Sequence, residues 1–139
     1  MQKSTLTTFR ALAASIIAMA FLAGGCGGKT QDEASFATPE EAAKALVAAL
    51  SKDDVAAAAK LLGEGADELL NSGDPVADKA DRATFVANYQ AKNALVEDGA
   101  DRRTLVTGTN DWPMPIPIVK GTDGRWRFDG FFLFRMSRA

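Results

Sequence analysis

The spacing of apolar residues changes twice along the chain. Residues 11–23 carry no charge and are mostly apolar. From Ala42 onward, apolar residues recur at intervals of three and four, the repeat of an amphipathic helix. After Arg103 they alternate with polar residues, as in β-strands with one buried face. Helices followed by strands predict an α+β domain, with helices packed on one face of a small antiparallel sheet.

Capping signals divide the helical region. Thr38, Pro39 and Glu41 form a helix start, with a cap, a proline in the first turn and an acid three residues after the cap. Asp53 is expected to cap a second helix that ends at Gly63. The two helices predict a hairpin, and its combination with later meander strands resembles the layout of the nuclear-transport-factor-like fold.

A third long helix is predicted over residues 78–97, ended by Gly99. Tyr89 and Asn93 lie one helical turn apart and are polar groups on an otherwise apolar side of this helix. Together with Trp112, they define a possible pocket between helix and sheet. The alternative interpretation is that both are core polar groups satisfied by local hydrogen bonds.

The strand region contains a proline at every second position of residues 112–119. One face of this segment carries Trp112, Met114, Ile116 and Ile118. The prolines remove hydrogen-bond donors from a single edge, so an edge strand is predicted. A proline-rich ligand for a partner's groove is the functional alternative. A turn at residues 121–124 is expected to pair Val119 with Trp126.

The beginning of the chain has the pattern of an export signal. Lys3 and Arg10 precede the uncharged residues 11–23, which are too few for a membrane-spanning helix of about 20 residues. Small residues at 23–25 then lead into Cys26, the only cysteine. Residues 1–25 are therefore predicted to be a signal peptide.

This junction resembles the lipobox of bacterial lipoproteins, although Ala23 stands where leucine is usual. The resemblance implies that Cys26 is acylated and becomes the first residue, and that membrane lipid is a partner of the protein. Gly27 in place of aspartate favours the outer membrane, facing the periplasm. Cleavage near Ala23 with an unmodified thiol is the alternative. Residues 26–35 lack large apolar side chains over most of their length and predict a flexible tether.

Charge and composition narrow the classes of function. Removing the two cations of the signal from the 16 in the chain leaves 14 against 18 acids, a net charge of −4. Residues 26–101 carry 7 cations and 15 acids, whereas residues 102–139 carry 7 cations and 3 acids. The excess of acids in residues 26–101 disfavours nucleic-acid binding. The basic part fits either an anionic lipid or polysaccharide, or a solvated sheet face.

The titratable residues do not form a catalytic pattern. The chain has no histidine, which removes the usual general base and the commonest metal ligand. Adjacent or clustered acids occur at Glu40, Glu41, Asp53, Asp54, Asp74, Asp78 and Asp81. They fit helix caps, with acid–base work or cation binding as the alternatives. No catalytic, cofactor or metal site is predicted, and an enzyme is not expected.

Three stretches resemble an uncharacterised family of predicted exported bacterial proteins, known only as a domain of unknown function. They read FATPEEA at residues 36–42, SGDPVAD at 72–78, and DWPMPIP at 111–117 with WRFD at 126–129. The resemblance covers residues 36–129 and implies no activity. Residues 130–139 differ from the family's continuation, which predicts either a truncated product or a final buried strand.

The leading hypothesis is a lipid-anchored, non-enzymatic binding or assembly module of the bacterial envelope, whose partner is an envelope protein or a small ligand. Two alternatives remain. One is a ligand-binding or hydrolytic domain that uses the predicted pocket, and the other is a non-functional fragment of a longer family member.

Overall fold

The computed structural model describes residues 34–136 and has an α+β architecture, as the sequence predicts. The helices of the described part are α1 (Pro39–Ser51), α2 (Val55–Leu62), α3 (Ala66–Leu70), α4 (Pro75–Ala91) and α5 (Phe131–Met136). The strands are β1 (Asn93–Glu97), β2 (Arg102–Thr107), β3 (Trp112–Pro113), β4 (Ile118–Lys120) and β5 (Trp126–Phe128). The predicted tether and signal lie outside the described residues, apart from residues 34 and 35.

Helix α1 begins at the predicted cap. The Thr38 hydroxyl accepts a hydrogen bond from the Glu41 N–H at 3.2 Å. The Glu41 carboxylate accepts from the Ala37 N–H at 3.1 Å, one residue earlier than in the usual capping box. These bonds satisfy backbone donors at the helix start, and Pro39 occupies the position where a missing N–H costs least.

The prediction that Asp53 caps α2 is wrong. The cap is Asp54, whose carboxylate accepts from the Ala57 N–H at 3.0 Å. Asp53 lies in the left-handed backbone region with φ of 55°. This conformation turns the chain between the two helices and points the Asp53 carboxylate towards Arg82 on α4. The α1–α2 hairpin itself is confirmed.

The third long helix is shorter at its C-terminal end than predicted and starts earlier. Asp74 caps α4 by accepting from the N–H groups of Val76 and Ala77. The helix stops at Ala91, because Lys92 is extended with φ of −158° and ψ of 133°.

Residues 93–97 therefore form strand β1, and Gly99 belongs to a hairpin turn. Five consecutive residue pairs join β1 to β2, from Asn93 opposite Thr107 to Glu97 opposite Arg103. This ladder replaces the helical bonds that the local apolar spacing suggested. Gly99 has a φ of 88°, which suits glycine at the turn.

The sheet is antiparallel, with strand order β1-β2-β4-β5 and β3 paired with β2. The proline-rich segment is not one continuous edge strand. Its residues 114–117 lie opposite only residues 104–105 of β2, between the pairs formed by β3 and β4. The two extra residues interrupt the ladder, and β4 lies inside the sheet between β2 and β5. The hairpin register also differs by one residue, since Lys120 rather than Val119 pairs with Trp126.

The core lies between one sheet face and the helices α1 and α2. Its largest members, each almost inaccessible to solvent, are Leu46, Leu62, Leu105, Ile116 and Ile118. Alanines of α1 and α2 fill the seam between the helices, which allows a close approach. Each large aliphatic side chain buried in this way contributes about 1.5–3 kcal/mol.

The described residues end in helix α5, where a final buried strand was the alternative expectation. Helix α5 leaves Phe131 49% exposed. Phe132 packs beneath the Arg102 guanidinium, whose carbon lies 5.3 Å from the ring centroid. None of the helices within residues 34–136 is long and apolar enough to cross a membrane.

The corrected cap gives a test of the α1–α2 turn. Replacing Asp54 by alanine removes the acceptor for the Ala57 N–H, and should lower the free energy of unfolding by about 1 kcal/mol. Asp54→Asn preserves a side-chain oxygen and should change stability little. Chemical denaturation measures both. Equal stability of Asp54→Ala and the wild type would contradict the assigned cap.

Candidate functional site: an open cleft beneath Trp112

An open cleft of about 420 Å³ lies between α4, the helical hairpin and the proline-rich segment. Its floor is apolar and its mouth is polar. The floor and walls carry Leu46, Leu50, Leu62, Leu69, Leu70, Phe85, Met114 and Pro115, and the polar or amphipathic border consists of Asp78, Asp81, Arg82, Thr84, Asn88, Asn110 and Trp112.

Asp78 closes one side of the cleft by fastening the turn that precedes α4. Its carboxylate accepts hydrogen bonds from the Ser72 hydroxyl at 2.6 Å and from the Ser72 N–H at 3.0 Å. The residue is only 8% exposed. These bonds lower the pKa of the Asp78 carboxyl, the hydroxyl having the largest effect, while burial opposes them. The Asp78 carboxylate therefore has a structural role at the wall of the cleft.

Arg82 joins three elements at the same wall. Its Nε and Nη2 atoms each lie 3.0 Å from Asp53 Oδ1, and its Nη1 donates to the Leu70 carbonyl at 3.1 Å. The Arg82 side chain is 12% exposed. Its hydrogen bond lowers the pKa of the Asp53 carboxyl, and Lys79 at 3.6 Å adds a smaller effect in the same direction.

The mouth of the cleft is built around Trp112. This residue is 43% exposed, and its ring meets that of Phe85 edge to face, with centroids 6.4 Å apart and planes at 82°. Pro113 follows Trp112 in β3 and pairs with Val106 of β2, where this short ladder ends. Pairing of Trp112 with Thr107 fixes its backbone, so the half-exposed ring is placed by the sheet rather than by a loop.

Two carboxamides flank the mouth. Asn88 of α4 accepts a hydrogen bond from the Gly108 N–H through its backbone carbonyl. A Cβ at Gly108 would lie 2.9 Å from the Asn110 Oδ1 and 3.4 Å from the Asn88 Cγ, so both side chains lie close to this glycine. Within residues 34–136, neither carboxamide makes a side-chain hydrogen bond to the protein. Each therefore has donors and acceptors for a ligand.

The structure separates the residues of the predicted pocket. Trp112 borders the cleft, but Tyr89 and Asn93 line a second cavity of about 230 Å³ beside Leu95 and Leu105. Asn93 Nδ2 donates to the Tyr89 carbonyl at 2.9 Å, although Asn93 belongs to β1. Burial raises the pKa of the Tyr89 phenol. Cys26 lies outside the described residues.

Sequence reasoning missed the polar groups of the cleft. The sequence pattern placed Asp78 in an acidic cluster with Asp74 and Asp81, and it indicated no role for Arg82. Within the described residues, no group of three or more histidine, cysteine or acidic residues has a metal-binding arrangement. The four-residue spacing of Asp78 and Arg82 could have marked a polar stripe on α4. No local signal connects Asn88 with Asn110.

The comparisons with known proteins identify a family for this domain. The family described as "Protein of unknown function (DUF2950)" matches residues 33–131, more than two thirds of the chain. The chain belongs to this family, which confirms the resemblance to an uncharacterised domain. No curated protein and no solved structure matches it significantly. The nuclear-transport-factor-like layout thus stays a prediction.

The hydrogen-bonded carboxylates of Asp53 and Asp78 predict that the protein loses stability in acid. Because folding lowers the pKa values of Asp53 and Asp78, their stabilisation is present above the unfolded-state pKa of about 3.9 and is lost as pH falls through the lower folded values. The double substitution Asp53→Asn and Asp78→Asn should lower stability at pH 7. It should also make the thermal midpoint less dependent on pH below about 5.

Thermal unfolding between about pH 7 and pH 3 measures this difference, because the window includes the ordinary carboxyl range. Asp67→Asn is the matched control, since Asp67 lies on α3 and its side chain makes no hydrogen bond within the described residues. An acid transition of the double variant as steep as that of the wild type would show that other groups govern the loss of stability.

Proposed function

We propose that the protein is a lipid-anchored protein of the bacterial cell envelope that binds a small, largely apolar ligand in the cleft without converting it chemically. The open cleft of about 420 Å³ supports ligand binding, because its volume is within the usual range of about 300–1,000 Å³ for small-molecule sites. The lipobox-like stretch before Cys26 supports the anchor.

The lining indicates the chemistry of the ligand. Leu69, Phe85 and Pro115 are cleft residues with part of their apolar surface accessible, and a hydrocarbon or aromatic group gains free energy by displacing water from them. Trp112 offers a half-exposed ring surface at the mouth. Asn88 and Asn110 can each donate and accept there, so a ligand end with both a carbonyl and an N–H or hydroxyl group is favoured.

The charged groups of the cleft support binding rather than catalysis. Asp78 is held by Ser72, and Arg82 is held by Asp53 and the Leu70 carbonyl. Lowered carboxyl pKa values at Asp53 and Asp78 oppose a general-acid role near neutral pH. These groups therefore fit the role of holding the wall in place while the apolar floor and the carboxamides contact the ligand.

The proposed localisation rests on the first residues of the chain. Residues 1–25 serve as the signal peptide, Cys26 carries the acyl chains, and residues up to 35 connect it to the domain. Two or three acyl chains hold a protein firmly on a bilayer, whereas one holds it only marginally. Gly27 supports a position on the outer membrane, with the cleft facing the periplasm.

Acylation of Cys26 is tested by incorporation of labelled palmitate into the full chain in a bacterial host. The wild type should take up label, and Cys26→Ser should take up none, because a serine hydroxyl cannot form the thioether. Gly25→Ala, which keeps a small residue before the cysteine, is the matched control and should still be labelled. Mass spectrometry that finds an unmodified thiol at Cys26, or a different first residue, would refute the anchor.

Ligand binding in the cleft is tested with the apolar fluorophore anilinonaphthalene sulfonate. Thr84 is exposed on α4 and borders the cleft, so Thr84→Phe should fill the mouth. We expect fluorophore binding to the chain without residues 1–26 to weaken about tenfold, or ~1.4 kcal/mol. Ala83→Phe places the same ring on the opposite, exposed side of α4 and should leave binding unchanged. Equal affinity of both variants would remove the cleft as the binding site.

A further inference from the structure

The two outer edges of the sheet differ in whether another segment of the chain pairs with them. At the β5 edge, Phe36 and Trp126 exchange two backbone hydrogen bonds of 2.7 and 2.8 Å, so the start of the domain covers that edge. At the opposite edge, β1 pairs with β2 alone within residues 34–136. An uncovered edge presents unpaired backbone groups that can bind another strand.

The direction of these groups follows from the ladder. The Gly108 N–H donates to the Lys92 carbonyl at 2.9 Å, and the Asp98 N–H donates to the Arg102 carbonyl at 3.2 Å. In an antiparallel ladder such hydrogen-bonded pairs alternate with non-bonded ones, so the even-numbered residues of β1 point towards β2. The N–H and C=O groups of the odd-numbered residues 93, 95 and 97 therefore point away from the sheet, and none of these residues is proline.

Strand β1 also lacks the usual protection of an edge. Four of its five residues are exposed, and only Leu95 is partly buried. Val96 is 49% exposed. The strand contains no proline and pairs with β2 over its whole length without a bulge. Its one charged residue is Glu97 at the end of the strand, and Lys92 and Asp98 lie just outside a short apolar centre of Ala94, Leu95 and Val96.

The sequence around this centre is complementary to itself when it runs in the opposite direction. We propose that β1 pairs antiparallel with β1 of a second copy of this chain, about a two-fold axis at Leu95. In that register, Lys92 lies opposite Asp98 of the second copy, and Asn93 lies opposite Glu97. Both combinations are favourable, since one joins opposite charges and the other joins an amide donor to a carboxylate.

Two-fold symmetry gives every one of these contacts twice, because the same patch serves both copies. The outward backbone groups of residues 93, 95 and 97 would form about six main-chain hydrogen bonds. The flanking charges are engaged within one copy by exposed ion pairs, Lys92 with Asp111 at 2.6 Å and Asp98 with Arg102 at 3.6 Å. Exposed pairs of this kind contribute little, so exchanging partners costs little.

The proposed interface is small, so the extent of pairing depends on the local concentration of the protein. One five-residue strand pair buries far less than the roughly 1,200–2,000 Å² of a typical stable complex. Association in dilute solution is therefore weak. Confinement of both copies to one membrane raises their effective concentration and favours pairing. This last step rests on the proposed anchor, whereas the register of the pairing does not.

Cysteine crosslinking tests the register in the full chain. Ala94 and Val96 are exposed, and in the proposed dimer Ala94 lies opposite Val96 of the second copy as a non-hydrogen-bonded pair about 4.5 Å apart. This separation suits a disulfide. Each residue lies about 7–8 Å from its own equivalent, which is too far. Mild oxidation should therefore crosslink co-expressed Ala94→Cys and Val96→Cys chains, but neither variant expressed alone.

The wild type measures any background from Cys26, and cell fractionation shows separately whether the chains are on the membrane. Oxidation is carried out on whichever fraction holds the protein, so failure of the anchor and failure of the pairing are read independently. Absence of dimer from the co-expressed pair, or equal dimer from the single variants, would overturn the proposal. Crosslinking only to a different envelope protein would also overturn it and assign the edge to that protein.

A charge exchange provides the second measurement, carried out on the same cysteine pair. Lys92→Glu places like charges opposite each other across the axis and should reduce crosslinking. Adding Asp98→Lys restores opposite charges between copies and should recover it. Within one copy, however, the double change repels Asp111 and Arg102 and can only destabilise. Recovery therefore requires contact between copies, and a further loss would contradict the proposed register.

Discussion

The position of the cleft depends on one guanidinium group. Arg82 is mostly shielded from water, and an unpaired cation there would cost several kcal/mol in lost hydration. The Asp53 carboxylate and the Leu70 carbonyl satisfy it from two different elements, the α1–α2 turn and the end of α3. The same group thus links α4 to the helical hairpin and to α3, and the cleft lies between these elements. Removing either partner would destabilise the wall more than it would alter the apolar floor.

This dependence explains the strained backbone at Asp53. A non-glycine residue in the left-handed region is uncommon and costs of the order of 1 kcal/mol. Asp53 adopts it because the turn must leave Asp54 free to cap α2 while Asp53 reaches Arg82. Two adjacent aspartates therefore have separate roles in one short turn. The sequence predicted the cap at Asp53, because the contact of Asp53 with α4 has no local signal.

Where the sequence predicted the structure correctly, the signal was local. Thr38, Pro39 and Glu41 define the start of α1 through bonds within a few residues, and Trp126 and Phe128 turn inward as the alternation indicates. The errors concern pairing between distant segments. Residues 93–97 keep a helical spacing of apolar groups, yet five pairs with β2 extend them. Asn88 and Asn110 both lie close to Gly108, because the β2–β3 turn that contains Gly108 packs against α4, and no local pattern reveals this.

The cleft and the β1 edge use different parts of the same scaffold. No residue of β1 lines the cleft, and no residue of the α1–α2 hairpin belongs to the edge. They are connected at Lys92, whose N–H donates to the Asn88 carbonyl at 3.0 Å and whose ammonium group pairs with Asp111. The neighbours of Asp111 in the chain are Asn110 and Trp112 at the mouth. Asp111 has a φ of 51°, so its turn adopts a conformation that few residues accept without support. A change of partner at Lys92 therefore acts on the mouth of the cleft through that turn.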